Sequence, residues 1–396
     1  MNDASPIYDA VVIGGGPAGL TAAIALAETG ARTALLARRA PYADNRTTAL
    51  LGASTDLLER LDVWRRCRDQ AAALRTMRLV DDTGRLIRAP EVRFASQEIG
   101  LDQFGYNIDN RTLMAALEER AAELSGLTRF DDEAAAVDPQ DAIVAIHTRA
   151  GGSLSARLVI GADGRQSLSR EAAGIDVKRR DLHQSALTFN ISHSRPHKNI
   201  STEFHTPHGP CVFVPLPGNR SSVVWVSAAK EAQRLMALGD DELSDAAEKQ
   251  SHSILGSVRV EPGRNLFPLT IESPKQFASH RVALVGESAH VLPPIGAQGL
   301  NMGLRDAADI ADIAGHAISI GEDPGAPQVL ARYQSARRSD VVSRIFAIDL
   351  ANRSLLSDFL PVQSLRAVGL HLIGSFGPLR RLAMREGLAP TWKRVG

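Results

Sequence analysis

Cysteine is almost missing from this chain of 396 residues: there are two, Cys67 and Cys211, and no C-x-x-C pair. That excludes a disulfide framework and a cysteine-based metal site, and it fits a reducing, cytoplasmic compartment in which both are plain buried thiols. Aromatic residues are scarce, at 5%. An excess of charge is also missing, since 45 basic side chains balance 45 acidic ones. The electrostatic footprint of a nucleic-acid-binding protein is therefore absent. No apolar run reaches the ~18 residues of a spanning helix. The first six residues show no charged-then-apolar leader. What is there, 44% hydrophobic and 23% charged residues, suits a large core, and the length suits two or three folding units.

The chain is organised around its first thirty or so residues. Residues 8–13 are a short apolar run with the character of a buried strand, followed at once by Gly14-Gly15-Gly16-Pro17-Ala18-Gly19. Residues 20–29 read as a helix stopped by Gly30, and residues 33–36 as a second strand. Gly14, Gly16 and Gly19 thus stand at G-x-G-x-x-G spacing between a strand and a helix, the context of a dinucleotide-binding fold. One glycine permits the turn, one lets a pyrophosphate approach the backbone, and one lets helix and strand pack closely. The free N–H groups and dipole of the helix N-terminus hold the phosphates. An acidic residue normally ends the second strand to bind a ribose hydroxyl, but here Ala37 stands there, followed by Arg38 and Arg39.

Further along, residues 48–64 have the apolar spacing of an amphipathic helix. Arg46 just before it has two readings, a cofactor contact or a solvated loop arginine. Residues 77–80 and 85–87 suggest a hairpin, and residues 109–124 a helix whose Asn110 or Arg111 can reach a cofactor. Residues 142–148 and 154–160 read as strands, the second running into Gly161-Ala162-Asp163-Gly164 and then a polar helix over 166–173. Asp163 at a strand end suits ribose or a pyrophosphate-bound water, although a D-G turn is common by itself.

Residues 185–271 have the texture of a mostly antiparallel sheet with a helical patch at 241–254. Phe204, Phe213, Trp225 and Phe267 fall here, as sheet core with one or two facing a substrate. So do His183, His193, His197, His205 and His208, without a carboxylate or cysteine at ligand spacing, so a metal is not expected. Residues 281–286 are again a buried-type strand, and a Pro-Gly loop then leads into a long helix over 300–320. The N–H groups at that helix start present a positive end to whatever lies above them. Residues 328–382 read as helical, with a basic end. An apolar, charge-poor stretch within it, residues 354–376, either docks on the other domains or lies on a membrane surface with its arginines toward anionic lipid.

Three signals in order, Gly14-x-Gly16-x-x-Gly19, Gly161-Ala162-Asp163-Gly164 and Gly286-Glu287 with the loop after it, resemble the flavin-dependent aromatic hydroxylases of the p-hydroxybenzoate hydroxylase type. Within that group, Pro294-Ile295-Gly296-Ala297-Gln298-Gly299-Leu300-Asn301-x-Gly303-x-x-Asp306 is similar to the ubiquinone-biosynthesis hydroxylases, as are Asp44-x-Arg46-Thr47-Thr48-Ala49-Leu50 and Gly105-Tyr106. Glu287 where the family usually has Asp, Pro293 in place of His, Ala297 in place of Gly, and Ala37 mark a divergent branch.

The resemblance implies an α/β protein with a Rossmann-like FAD-binding domain over residues 1–75, 106–180 and 276–330. A mostly antiparallel α+β substrate domain would take residues 76–105 and 181–275, and a C-terminal helical region residues 331–396. It implies FAD, reduced by NADH or NADPH, and O2 as co-substrate, with one oxygen atom passed to an electron-rich phenol, small or lipid-like. Gly14, Gly16, Pro17, Ala18, Gly19, Arg46, Asp163, Gly286 and Glu287 would hold the cofactor. The N–H groups of Gly299, Leu300 and Asn301 would face the flavin pyrimidine, where a reduced flavin carries negative charge. The Pro293 and Pro294 backbone would lie near the reacting oxygen, and His290 is a candidate ring base with a structural role as the alternative. The open alternatives are a hydroxylase of a soluble phenol, a prenyl reductase and a non-catalytic flavin-binding assembly subunit. Other ubiquinone-biosynthesis proteins and peripheral contact at the inner face of a membrane complete the expected partners.

Overall fold

A computed structural model of the chain describes residues 7–39, 45–84, 90–294, 296–356 and 376–388. In chain order the elements are β1 (Ile7–Ile13), α1 (Pro17–Glu28), β2 (Thr33–Leu36), β3 (Thr47–Leu51), α2 (Gly52–Arg60), β4 (Ala72–Leu74), β5 (Thr76–Asp81), β6 (Val92–Ala95), β7 (Gly105–Asp109), α3 (Asn110–Glu123) and β8 (Leu127–Phe130). There follow β9 (Ala134–Pro139), β10 (Val144–Thr148), β11 (Ser153–Gly161), α4 (Leu168–Ala172), β12 (Val177–His193), β13 (Ile200–Thr206), β14 (Gly209–Leu216), β15 (Arg220–Ala228), α5 (Ala229–Met236) and α6 (Asp240–Gln250). The last are β16 (Val258–Val260), β17 (Asn265–Pro274), β18 (Ala278–Ser279), β19 (Val282–Leu284), α7 (Gln298–Ser319), α8 (Pro327–Leu356) and a helix here called α9 (Gly377–Leu388).

The first sheet runs β18-β19-β11-β1-β2-β8, with β10 and β9 attached to β11. Its central pairs are parallel, with Ile13 beside Gly161 and Leu36, and Gly161 beside Leu284. These strands are buried on both faces and so read as unbroken apolar runs rather than alternating ones. The second sheet runs β16-β12-β15-β14-β13-β5-β6, with β17 paired to β12, and a small third sheet runs β3-β7-β4. Two helices of the first unit approach unusually closely. A Cβ added at Gly303 of α7 would lie 3.2 Å from Ala18 Cβ, and one at Gly315 would lie 2.6 Å from Thr29 Cγ2. Early α1 thus meets early α7 and the end of α1 meets the later part of α7, so the two helices run parallel with both N-termini at one end.

Several expectations change. The helix expected over 48–64 begins only at Gly52, because Thr47–Leu51 pairs antiparallel with β7. Its β-branched Thr47 and Thr48 suit a strand, and the pairing partner decides. The hairpin partner of β5 is Val92–Ala95, and the expected residues 85–87 lie outside the described residues. The stretch 258–271 breaks into β16 and β17 at Gly263, whose φ of +97 suits glycine. A further helix, α5, precedes α6. Residues 357–375, most of the apolar C-terminal stretch, lie outside the described residues, as do Ile295, Asp44 and residues 1–6.

Register sorts the aromatics. Leu187, Trp225, Cys211 and Phe204 are cross-strand neighbours and share a face, with Phe213 two residues along; this face carries the second core, under α5 and α6. Phe267 pairs with Ala186, in a row with Val226 on the opposite face. That face turns to the nucleotide-binding unit, since Asn190 Nδ2 donates to the Asn45 carbonyl at 3.2 Å and the Arg46 guanidinium sits 4.9 Å from the Phe267 ring centre. Both cysteines are buried, and burial pushes the Cys67 thiol up to about 12 and that of Cys211 well above its ordinary value.

Candidate functional site

The three glycine-rich signals, far apart in sequence, meet as the C-terminal ends of three adjacent parallel strands. β1 delivers Gly14, β11 delivers Gly161 to Gly164, and β19 delivers Gly286 and Glu287. Open α/β sheets bind their ligands at such strand ends. The loops are laced together. Ser288 Oγ donates to the Gly161 carbonyl at 2.5 Å, and Arg170 donates to the carbonyls of Ser288 at 2.9 Å and Arg165 at 2.6 Å. Gly14 and Gly19 are required by the protein's own packing: a Cβ at Gly14 would fall 2.2 Å from the Ala162 oxygen, and one at Gly19 would fall 2.0 Å from the Gly14 oxygen.

Gly16 and Gly299 are different. Neither has a left-handed φ, and a Cβ at either would meet nothing within 4 Å. Among the described glycines without a left-handed φ, these are the two whose added Cβ would meet open space rather than a neighbouring atom. Gly16 is the N-cap of α1, and Gly299 lies in the first turn of α7. Both helices lack a side-chain cap and an acidic residue in the first turn. Their first-turn N–H groups and positive ends are therefore open. Two parallel helices thus present uncapped N-termini at the same end, each with a glycine clearing the approach. A ligand with a pyrophosphate and an electron-rich ring fits this cradle.

The other expected residues gather around it. Pro17 and Ala18 open α1, and Gly286 has φ +66 with its would-be Cβ 3.1 Å from Ala18. Glu287 is more than half exposed, with its carboxylate 3.3 Å from Arg165. Asp163 accepts from Ser167 Oγ at 2.5 Å and from the Ser169 N–H and Oγ at 2.9 and 3.0 Å, so its carboxylate shapes the turn into α4. Pro293 is buried, while Pro294 and Gly299 are exposed and Leu300 half-buried. The Asn301 side chain is a clamp: Oδ1 accepts the Leu51 N–H at 2.9 Å, and Nδ2 donates to the carbonyls of Ala49 at 2.7 Å and Ala297 at 2.6 Å. It ties β3 to the first turn of α7. The Asn110 N–H donates to the Arg46 carbonyl at 3.0 Å, and the buried Asn110 Oδ1 has no partner among the described residues, whereas Arg111 is exposed. Ala297 adopts φ 54, in the left-handed region, so alanine here is strained by about 1 kcal/mol. At the end of β2, where Ala37 replaces the acidic residue, Arg129 is paired to Glu118 and donates to the Ala37 carbonyl at 3.4 Å.

Sequence reading missed the support under the loop between β19 and α7. Asp306 is fully buried, and its Oδ2 accepts the Gly286 N–H at 2.9 Å and lies 2.7 Å from His290 Nε2. Its Oδ1 accepts from Arg337 Nε at 2.6 Å, and Arg337, also fully buried, comes from α8. Burial alone would raise the Asp306 pKa, but the His290 and Arg337 charges and the hydrogen bonds hold it below the ordinary carboxylate range. His290 is 2% exposed and bound to Asp306, so its ring lies within the support beneath this loop. No His, Cys, Asp and Glu group among the described residues is arranged to hold a metal ion.

Strand-end loops converging on two open helix N-termini define a dinucleotide-binding protein. The chain belongs to the family described as "FAD binding domain", whose model matches residues 8–347. The ubiquinone hydroxylase UbiL of Rhodospirillum rubrum is 33% identical over 392 residues, with 97% of this chain and 90% of that protein covered. The 3-demethoxyubiquinol 3-hydroxylase of Escherichia coli is 30% identical, covering 95% and 97%. The crystal structure of p-nitrophenol 4-monooxygenase PnpA from Pseudomonas putida shares the fold, with a TM-score of 0.78 at 21% identity and 96% and 98% covered. The protein is an FAD-dependent monooxygenase.

A folded-state pKa below the unfolded one makes the Asp306 contribution complete above the unfolded value of about 3.9 and lost as pH falls through the folded value. Thermal melts across pH should show the wild type losing stability steeply below about pH 4. Asp306→Asn should start lower by roughly 3–5 kcal/mol and show a shallower acid limb. Parallel acid limbs would remove Asp306 from this role.

Proposed function

We propose that the protein hydroxylates the ring of a polyprenylated phenol on the route to ubiquinone, using O2 and NADH or NADPH. The observation that carries the flavin placement is the pair of unexplained open glycines, Gly16 and Gly299, at two parallel helix N-termini. The α1 N-terminus with Gly14, Gly16, Pro17, Ala18 and Gly19 takes the pyrophosphate. Asp163, Gly286 and Glu287 line the ribityl and ribose side. The first-turn N–H groups of α7, at Gly299, Leu300 and Asn301, face the flavin pyrimidine, with the Pro293 and Pro294 backbone beside the reacting oxygen. Arg46 stands at the flavin edge against Phe267. When bound there, FAD would supply the redox chemistry, passing two electrons from the nicotinamide nucleotide to O2 so that one oxygen atom enters the ring and the other leaves as water.

The phenol is assigned to the space under the second sheet, whose face toward the nucleotide-binding unit carries Ala186, Val226 and Phe267. Such a face excludes water and receives an apolar ring and tail. The names of the relatives from Rhodospirillum rubrum and Escherichia coli support a ubiquinone precursor as substrate. A lipid-like substrate also gives a role to the C-terminal helix. Phe376, Leu379 and Leu382 are exposed at a spacing of three, beside exposed Arg381 and Arg385. We assign α9 to contact with an anionic membrane surface. Among the described residues, no helix is long and apolar enough to cross a membrane.

Three measurements bear on this. Gly16→Glu and Gly299→Leu proteins should fold with thermal midpoints near that of wild-type apoprotein yet purify without flavin; full flavin content in either would overturn the cradle. Wild-type enzyme given NADPH or NADH and a short-tailed 2-polyprenylphenol should place one atom of labelled O2 in the ring, whereas a reduced tail without label would make it a prenyl reductase. Sedimentation with phosphatidylglycerol vesicles should carry the protein down in a salt-sensitive way, and Leu379→Glu with Leu382→Glu should abolish this. Equal recovery with phosphatidylcholine vesicles would contradict the basic contact.

A further inference from the structure

The helix α8 lies outside the three strand-end loops, yet its side chains reach both ends of the loop that joins β19 to α7. At the near end Arg337 holds Asp306, which holds Gly286 and His290. At the far end Arg344 Nη1 donates to Gln298 Oε1 at 2.6 Å, and Gln298 Nε2 donates to the Gly296 carbonyl at 2.9 Å. Asp340 joins the two arms: its Oδ2 is 3.0 Å from Arg337 Nη1, and its Oδ1 accepts from Arg344 Nε at 2.8 Å. Every link in this path is buried or nearly so: Arg337 and Asp340 are 0% exposed, Arg344 8% and Gln298 9%.

Gln298 is the first residue of α7, so its side chain and the amide of Gly299 move as one. The position of that turn decides where its N–H groups point. We propose that Arg344 is a positioning residue for the flavin: through Gln298 it fixes the first turn of α7 and the Gly296 peptide, so that the docking of α8 governs both the affinity for FAD and the ease of its reduction. The inference rests on the reading that the α7 N-terminus faces the flavin pyrimidine.

The local charge arrangement separates this role from bulk stability. Asp340 also accepts from Arg305 Nε at 2.9 Å, so removing Arg344 leaves its carboxylate with two guanidinium partners. Removing Arg337, by contrast, takes away the guanidinium that holds Asp306. The Arg344 arm ends on a neutral amide next to the flavin-facing turn. Its loss therefore loosens that turn more than it destabilises the fold. A reduced flavin carries more negative charge at its pyrimidine than an oxidised one, so amides that drift away weaken the reduced form most. The midpoint potential then falls, which a general loss of stability does not cause in flavin that stays bound.

The test uses wild type, Arg344→Met, Gln298→Met, the double variant and Gly299→Leu. FAD dissociation constants are read from flavin fluorescence on titrating apoprotein. Midpoint potentials are read by dye equilibration at saturating FAD, and apoprotein melts are run in parallel. Each single methionine variant should weaken FAD binding about tenfold, as loss of a hydrogen bond to a charged group does, and make the potential more negative. The double variant should add little, because both substitutions break one arm. Arg344→Lys keeps the charge but cannot hold Asp340 and Gln298 with one planar fork, and should fall between. Gln298→Met removes no charge and carries the test should Arg344→Met fail to fold. Unchanged affinity and potential in both single variants, or fully additive losses in the double, would overturn the proposal. If Gly299→Leu also binds FAD normally, the failure belongs to the reading of the α7 N-terminus; if Gly299→Leu loses FAD, it belongs to the arm alone.

Discussion

One carboxylate out of reach of water constrains the whole cofactor side of the molecule. Taking an ion from water into the interior costs several kcal/mol, and only close, well-directed partners offset that. Asp306 finds them in the Gly286 N–H, in His290 and in Arg337, which belong to the strand-end loop and to α8. Neither α7 nor the loop nor α8 can settle without the others, because each leaves a buried charge or donor unsatisfied. The acid thereby couples the end of β19 to a helix formed much later in the chain.

This coupling explains a contrast within the site. Gly14 and Gly19 are demanded by the protein's own packing, and Gly303 and Gly315 by the approach of two parallel helices. Gly16 and Gly299 are demanded by nothing among the described residues, and they sit where the two helices begin. The fold brings two positive helix ends to one place and holds them rigidly, and the glycines keep that place open. Rigid elements in this arrangement can hold a ligand in one fixed orientation.

Much of this was legible in the residues. The β1-α1-β2 unit announced itself because glycine spacing, an apolar strand and a helix stop agree with one another. The convergence of Gly14, Gly161 and Gly286 followed from family resemblance, and adjacent parallel strands supply its physical basis. Other parts were hidden for stated reasons. Residues 47–51 suit strand or helix by pattern, and β7 with the Asn301 side chain decides for strand. Phe204 and Phe267 look alike in sequence, and only cross-strand register puts them on opposite faces of one sheet. The polar face of α8 was the least legible. Arg337, Asp340 and Arg344 have the look of a solvated charged helix, and periodicity separates apolar from polar positions without telling a solvated charge from a buried, mutually neutralised one.

The order in which strands join the first sheet has a bearing on how the protein comes into being on the ribosome. Ile13 finds Leu36 within its own βαβ unit, but its other neighbour, Gly161, is translated far later, and that strand in turn awaits Leu284. At roughly 5–20 residues per second, a nascent chain spends many seconds with the edge of β1 unpaired, a surface prone to wrong pairing. The turn at Gly14–Gly19 can form early in translation, whereas the contact from Arg344 to Gln298 at the start of α7 closes only after Arg344 has left the exit tunnel. The two helix ends of this site thus settle at different times, that of α1 early and that of α7 only once its contacts with α8 have formed.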